Sequence, residues 1–485
     1  MAVVTARHLA ALLVLVLVFG SLSCGGESSP QGGGGTGGQE LCPAPNRLLE
    51  DGTCLPPGVQ DNGCPAGELG LEDGSCQPAG GPAELCADGF EPLEQGCEPI
   101  LPPEPCEPGL MAVPGDTACR EVAPCGQGQW GDIPIDGTTE HVDGAYAGGS
   151  SDGTADHPWT TISEAITAAA PGALVAIAAG SYAEGLDIAG KPVTLWGVCP
   201  AEVEVVGSAT AMAAVVIRAG ADGTEVRSLA IRGDAVGLAL SGSQSVVLDR
   251  LWMHDNASRG VVVEETLGPT TVTLSGVLLE QNHEVGVYVV GSDATIEGTV
   301  VRNTLPRASD QTAGRGINIQ HAPNTAERGS VTLHASLLEQ NRDAGVYVSG
   351  SDAIIEGTVV RNTMPQASNQ GGGQGIRIVH GPNTAQRASV TLRASQLEQN
   401  HYVGVYVSSS DATIESTTVR STMPRASDQL GGNGISSMLD PDTAGRASVT
   451  LHASLLEQNH EVGLVVFASD ATIEGTVVRN TLPRP

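Results

Sequence analysis

Aromatic side chains and lysine are scarce in this chain of 485 residues. Phenylalanine, tryptophan and tyrosine make up only 3% of the sequence, and Lys191 is the single lysine. The 23 basic residues face 55 acidic ones, which gives a formal net charge of -32. Few aromatic side chains are present to stack on bases, and the negative charge repels phosphate groups. Binding to nucleic acid or to anionic lipid is therefore not expected. A polyanionic glycan is repelled as well, unless a divalent cation bridges it.

Beyond the N-terminus, no apolar run is long enough to span a bilayer as a helix. Residues 1–23 are typical of a signal peptide. Their end, SLSC, resembles a bacterial lipoprotein signal, which implies that Cys24 is lipidated and that residues 24–40 are a lipid-anchored flexible linker. The expectation is an exported lipoprotein of the bacterial outer membrane or cell surface, in contact with the membrane through its anchor alone. The alternative is an ordinary secretory peptide and a secreted chain.

Cysteine is concentrated in residues 41–125, where no CxxC pair and no histidine provides a zinc site. The cysteines fall into pairs of similar spacing, which predicts short modules closed by disulfides in an oxidising compartment. The sequence leaves the connectivity open. Acidic turns such as LEDG could hold Ca²⁺, but no clear motif supports a metal or another cofactor. The candidate bonds are Cys42–Cys54, Cys64–Cys76, Cys86–Cys97, Cys106–Cys119 and, joining this region to the next, Cys125–Cys199.

Four near copies of one segment follow each other in the C-terminal half. SVTLHASLLEQN at 330–341 returns at 448–459, and successive copies are 59 residues apart. Each unit, within about 272–485, holds two glycine-marked coils, which predicts a solenoid with coils stacked at about 4.8 Å. Asparagines at one bend of each coil are predicted to form a hydrogen-bonded ladder. These are Asn256, Asn282, Asn303, Asn341, Asn362, Asn400, Asn459 and Asn480.

A helix is predicted in front of the coils. Residues 157–172 contain a capping box from Thr161 to Glu164, an apolar face and a Pro171-Gly172 stop. Such a helix covers the open end of a solenoid, where sheet edges are otherwise unpaired. Residues 126–485 are therefore predicted as an all-β domain with an N-terminal capping α-helix, preceded by a disulfide-rich irregular region.

The helix TTISEAITAA, the segment APGALVAIAAGSYAEGLDIAGKPVTLWG and the coils resemble the right-handed parallel β-helix of the pectin-lyase-like superfamily. With the Cys-rich region in front, the chain resembles bacterial β-helix surface lipoproteins. The resemblance implies a fold rather than one activity. Its members include polysaccharide lyases, glycoside hydrolases and non-enzymatic adhesins or structural proteins.

The galacturonan hydrolase set that this resemblance implies is incomplete. Of an NTD segment, an Asp–Asp pair, GHG and RIK, the chain has only His380-Gly381 and an RIV at Arg377. The leading prediction is therefore a non-enzymatic β-helix for adhesion, envelope structure or carbohydrate binding, whose partner is an extracellular glycan or an envelope component. End-to-end self-association through an uncapped last coil is a further expectation. The alternative is a polysaccharide lyase or glycoside hydrolase, with catalytic candidates Asp249, Arg250, His254 and Asp255.

Charged residues also recur at fixed positions of the coils. They form either a periodic polar face for an extended ligand or, as we expect, a solvated surface on which glutamate and arginine pair between coils. The rows are Glu280, Glu339, Glu398 and Glu457, then Glu297, Glu356, Glu415 and Glu474, and then Arg302, Arg361, Arg420 and Arg479.

Overall fold

The computed structural model describes residues 47–48, 54–55, 64, 68–70, 75–93, 95–382, 384, 386–440 and 445–483. The chain divides into two compact units after Val59. In the first unit the described residues form one antiparallel pair, Arg47–Leu48 with Cys54–Leu55. Within the described residues, no helix is long and apolar enough to cross a bilayer.

Three parallel sheets of the second unit wind into a right-handed parallel β-helix of about 11 turns. Sheet 1 contains Glu140–Val142, Leu174–Ile177, Thr194–Gly197, Glu225–Arg227, Val246–Asp249, Thr271–Ser275, Asp293–Glu297, Ser330–His334, Asp352–Glu356, Ser389–Arg393, Asp411–Glu415, Ser448–His452 and Asp470–Glu474. Sheet 2 contains Gly180–Tyr182, Val203–Gly207, Ala230–Gly233, Trp252–His254, Leu278–Glu280, Val300–Arg302, Leu337–Glu339, Val359–Arg361, Gln396–Glu398, Thr418–Arg420, Leu455–Glu457 and Val477–Arg479. Sheet 3 contains Leu186–Ile188, Ala213–Arg218, Val236–Ser241, Val261–Glu264, Val285–Val290, Arg315–Gln320, Ala344–Ser349, Gln374–Val379, Val403–Ser408, Asn433–Met438 and Leu464–Phe467.

Alternation along each strand places apolar side chains inside the coil. In Ser330–His334, Val331 and Leu333 are buried while Thr332 is exposed. In-register pairing of every strand with the same position of the next coil repeats this pattern along the axis. The result is one continuous apolar core running through the β-helix.

The asparagine ladder includes five of the eight predicted residues. Asn341 is fully buried, donates from Nδ2 to the carbonyl of Val301 at 2.8 Å and accepts from Thr304 Oγ1 at 2.7 Å. The other four buried residues of this kind are Asn256, Asn282, Asn400 and Asn459.

The remaining three positions of the predicted ladder need correction. Asn303, Asn362 and Asn480 lie one residue earlier in the bend, with φ of 53°, 55° and 51°. Asparagine tolerates this left-handed conformation better than most residues. In the coils of Asn303 and Asn362, the buried ladder position is occupied by the next residue, Thr304 or Thr363, and both threonines are almost fully buried.

The N-terminal end of the β-helix is covered by the helix Ile162–Ala168. Thr161 Oγ1 accepts a hydrogen bond from the backbone N–H of Glu164 at 3.2 Å, as the capping box predicts. Glu184 accepts from the amides of Ile162 at 2.8 Å and Ser163 at 3.0 Å. At the other end, Lys191 Nζ donates to the carbonyl of Ala169, a favourable place for a cation.

Each disulfide among the described residues joins two cysteines that follow one another in the order of cysteines along the sequence. The bonds are Cys64–Cys76, Cys86–Cys97, Cys106–Cys119 and Cys125–Cys199, the pairs that the spacing predicts. Cys24 and the bond Cys42–Cys54 lie outside the described residues. Short antiparallel pairs accompany the bonds: Glu68–Gly70 with Cys76–Pro78, Phe90–Leu93 with Gly96–Pro99, and Leu110–Met111 with Arg120–Glu121. A 3-10 turn spans Ala83–Leu85.

Residues 80–93 and 95–125, which we call the strap, lie along the outer face of sheet 2. Near their start, the amide of Gly80 donates to the carbonyl of Gly475 in the last coil, at 2.7 Å. Further along, Phe90 and Met111 pack on outward apolar residues of successive coils, Leu278 and Leu337 among them. The strap therefore runs antiparallel to the axis of the β-helix and covers one of its three faces.

The glutamate row that begins at Glu280 and the arginine row lie beneath this strap, so the prediction of a solvated surface is wrong for these two rows. It holds for Glu297, Glu356 and Glu474 on sheet 1, which are exposed. Pairing between coils does occur, as between Arg302 and Glu280 at 2.6 Å, but both side chains are nearly fully buried. Arg302 also donates to the carbonyls of Cys106, Glu107 and Leu110, each at 3.0 Å. The two rows beneath the strap hold it and are not free to bind a ligand.

Candidate functional site

The outer face of sheet 3 is the floor of a groove. Loops 303–314, 362–373 and 421–432 enter its strands from sheet 2, and loops 321–329 and 380–388 leave for sheet 1. The loops lie at opposite edges of the same sheet. They recur in every second coil, because each 59-residue unit carries one of each type. Unlike sheet 2, this face has no strap over it among the described residues.

One outward position on each strand forms a row along the groove floor. Strand register aligns Val262, Tyr288, Asn318, Tyr347, Arg377 and Tyr406 on consecutive coils. At about 4.8 Å per coil, the three tyrosines are about 9.6 Å apart. This spacing suits a linear polymer whose repeating units are of similar length.

Guanidinium groups lie over these tyrosine rings. Arg315 lies 3.9 Å from the ring centre of Tyr347, and Arg259 lies 4.3 Å from that of Tyr288. Arg377 lies between two rings, 5.6 Å from Tyr347 and 5.9 Å from Tyr406. The floor therefore combines flat aromatic faces with cationic donors, which suits sugar rings and carboxylates.

Most of these arginines already have a carboxylate partner. Arg259 and Arg307 both contact Glu284, at 2.8 and 2.6 Å, and Arg315 contacts Asp343 at 2.6 Å. A polar cavity of about 240 Å³ lies among Arg259, Glu284, Arg307 and Arg315.

Arg377 is the exception. Its guanidinium forms no ion pair among the described residues, and its buried Nε has no hydrogen-bond partner there. A buried donor without an acceptor is costly, so an incoming anion would satisfy it.

Glu284 is a poor candidate for a general acid. Burial alone would raise the pKa of its carboxyl group, but hydrogen bonds from Arg259 and Arg307 outweigh burial and lower the pKa below 4.5. Glu284 is therefore ionised at neutral pH and acts as an anchor for two guanidinium groups.

The four catalytic candidates of the sequence do not form one site, and that grouping is wrong. Asp249 ends a strand of sheet 1, where it accepts from Arg227 at 2.6 Å and Arg250 at 3.0 Å. His254 ends a strand of sheet 2, with Nδ1 2.8 Å from Asp255 Oδ2. The two pairs lie on different faces, because a coil changes sheet between residues 249 and 252.

A metal centre finds little support in the described residues. Cys125, Cys199 and Glu202 come close enough to share an ion, but the two sulfur atoms are joined in a disulfide. A disulfide offers no thiolate ligand.

The sequence does contain a pattern that marks the groove, but the pattern alone does not show which side chains lie next to each other. Three of the six tyrosines, Tyr288, Tyr347 and Tyr406, occupy the same place in a GVYV motif, 59 residues apart. Alternation places each of them outward, but only the register places Arg377 between two of them.

No family model matches the chain, and no curated protein matches it either. Several solved structures do resemble it. An exopolygalacturonase of family 28 from Yersinia enterocolitica shares 11% identity over 71% of this chain and 78% of its own, with a TM-score of 0.47. The A-module of mannuronan C-5 epimerase AlgE6 from Azotobacter vinelandii shares 16% over 66% and 94%, with a TM-score of 0.46. An alginate lyase from Paenibacillus sp. shares 15% over 67% and 94%, with a TM-score of 0.39.

All three are named as enzymes that act on polysaccharides. These findings contradict the leading prediction of a non-enzymatic surface protein and favour its alternative, a polysaccharide lyase or glycoside hydrolase. Identities this low show the parallel β-helix fold alone, so the chemistry has to be argued from the groove itself.

Proposed function

We propose that this protein is a polysaccharide lyase that binds an acidic glycan along the groove of sheet 3. The observation that carries the proposal is Arg377, whose guanidinium lies between Tyr347 and Tyr406 without a carboxylate partner among the described residues. The ring of Tyr347 is already covered by Arg315, so the ring of Tyr406 supports a sugar ring by stacking, and Arg377 binds the carboxylate of the neighbouring uronate.

Binding that carboxylate prepares the uronate for β-elimination. A guanidinium ion neutralises the carboxylate and makes the adjacent C5–H bond more acidic. The proton of C5 passes to a base, the C4–C5 double bond forms, the C4–O bond breaks, and the leaving oxygen takes up a proton. We assign these proton transfers to the phenol groups of Tyr347 and Tyr406, which flank Arg377 on the same face.

Hydrolysis is less well supported by this groove. A glycoside hydrolase needs one carboxyl group that is protonated and a second that is ionised. Glu284 is held ionised by two arginines, and Asp343 is paired with Arg315. Neither carboxyl group is placed to donate a proton.

The net charge of -32 does not conflict with an acidic ligand. Charges farther away than about 8 Å are largely screened at physiological salt. Near the polar cavity, Arg259, Arg307 and Arg315 are paired with Glu284, Asp310 and Asp343, whereas Arg377 further along the floor has no ion-pair partner among the described residues. The local field can therefore favour an anion although the whole chain is acidic.

The test is incubation of the purified protein with a panel of acidic and neutral polysaccharides. A lyase produces unsaturated ends that absorb in the ultraviolet, whereas a hydrolase produces reducing ends without that absorbance. The panel is run with added Ca²⁺ and with a chelator, since the absence of a cofactor is still only a prediction. Export and the lipid anchor at Cys24 are also predictions, which mass spectrometry of membrane fractions tests.

Tyr347→Phe and Tyr406→Phe identify the base. Each variant keeps the ring for stacking and removes one hydroxyl group. We expect one of them to lower kcat by about 10²–10⁴-fold with little change in KM. If both variants retain full kcat, the tyrosine assignment is wrong, even where Arg377 is required.

A further inference from the structure

A second cavity continues the groove towards the N-terminal end of sheet 3. It has a volume of about 540 Å³, which is in the range of small-ligand sites. Its floor is the same outward row, occupied here by Val216, Ala239 and Val262 on consecutive coils. Three small apolar side chains thus replace the tyrosines and arginines found further along.

Exposed apolar side chains form the walls of this cavity. Met212 lies at one edge of sheet 3 and Leu267 at the other, with exposed fractions of 74% and 56%. Large apolar groups on both sides of an apolar floor make a continuous patch, which is unusual on a free surface.

The charged groups at the ends of the cavity connect it to the polar part of the groove. Arg259 lines both cavities, so the two form one path. At the far end, Arg218 and Asp187 are paired with each other in a bidentate contact. The floor row of Val216, Ala239 and Val262 offers no polar side chain to a ligand, and the polar side chains of the lining, Ser241 and Glu264, lie beside it on the row that begins at Arg218.

We propose that this cavity is a subsite for a sugar residue that carries an acyl ester, such as an O-acetyl group. The inference rests on the proposed function, because the same glycan chain would extend from Arg377 past Arg259 into this cavity. Directly over Val216, Ala239 and Val262, a bare hydroxyl group would lose water without gaining a partner, which disfavours an unsubstituted sugar at that position. An acetyl group instead buries apolar surface against Val262 and Leu267.

The experiment compares O-acetylated alginate oligosaccharides with the same sample after mild alkaline de-esterification, by calorimetry on the full chain. We expect the acetylated form to bind about tenfold more tightly. In the double variant Met212→Ala/Leu267→Ala, we expect the preference to fall to about twofold while the affinity for the de-esterified form stays unchanged. Ile354→Ala, a similarly exposed apolar residue on sheet 1, should leave both affinities unchanged.

Equal affinity for the two forms, or no binding of either, overturns the subsite. So does a preference that the double variant leaves intact. The proposed function survives any of these results if an acidic polysaccharide of the panel is cleaved and Arg377→Ala abolishes the cleavage. It fails separately if cleavage does not depend on Arg377.

Discussion

Asn341 and Asn362 look equivalent in the sequence, since each follows a strand of sheet 2 in a neighbouring coil. Their surroundings differ because Asn362 directly follows its strand, Val359–Arg361, whereas Asn341 comes one residue later in the bend, after Gln340. Asn341 is buried in the ladder, whereas Asn362 has φ of 55° and lies in the bend itself. The residue type alone does not distinguish an asparagine whose side-chain amide forms the ladder from one whose backbone adopts a positive φ in the bend.

Substituting these two residues separates the two roles. Asn341→Ala leaves the carbonyl of Val301 and the hydroxyl of Thr304 unpaired in the core, so we expect a loss of about 2–3 kcal/mol. Asn362→Gly should be neutral or slightly stabilising, because glycine accepts positive φ freely. Urea denaturation measures both, and an equal loss in the two variants would contradict the revised ladder.

Glu284 gives the groove a defined response to acid. Its pKa is lower in the folded protein than the ordinary 4.5, so its ion pairs add stability above that pH. That contribution disappears as the pH falls below 4.5 through the folded pKa. We expect Glu284→Gln to lower Tm at pH 7 and the difference from the wild type to narrow progressively below pH 4.5. A Tm difference that stays constant on acidification would show that Glu284 is not held ionised.

At the scale of the element, each strand of sheet 3 from Val236–Ser241 onward has a glycine at or next to its start. A Cβ on Gly345 would lie 2.4 Å from Val360 Cγ1 and 2.7 Å from the carbonyl oxygen of Gly375. The repeated GVYV and GIRI motifs therefore mark a close approach of neighbouring coils rather than a turn. The sequence repeat predicts the coils well because each coil contacts only the coils next to it, so the packing of a coil depends on residues of adjacent repeats.

Gly345→Ala tests this packing directly. The methyl group forces a backbone carbonyl and a core valine to move, and we expect a loss of about 1–3 kcal/mol. Gly137→Ala is the matched control, since nothing lies within 4 Å of the added methyl group there. Urea denaturation of both variants gives the comparison; an unchanged Gly345→Ala protein would contradict the close approach.

At the scale of the whole molecule, the strap decides which faces of the β-helix are free. Sheet 2 is covered and sheet 3 is open, so the groove is available to a ligand while the glutamate and arginine rows beneath the strap are not. No periodicity in the sequence shows this, because the contacts between Arg302 and the strap join residues almost 200 positions apart. The fold was therefore predictable from local repeats, but the choice of functional face was not.

Arg302→Ala tests how the strap is held. The substitution leaves Glu280 as a buried, unpaired charge and frees three strap carbonyls, so we expect a loss of about 3–5 kcal/mol. Arg446→Ala breaks an ion pair with Asp470 in which both side chains are more than half exposed, and should leave the free energy of unfolding almost unchanged. Similar losses in urea denaturation would mean that the strap does not bury Arg302.

The central claim is that Arg377 receives the carboxylate of an acidic glycan. The most direct measurement is kcat/KM of Arg377→Ala and Arg393→Ala on the polysaccharide that the panel identifies. Both variants remove one positive charge, but Arg393 lies on sheet 1, 52% exposed and paired with Glu415. We predict a loss of at least about 10²-fold for Arg377→Ala and less than about twofold for Arg393→Ala. Equal activity of the two variants would contradict the account.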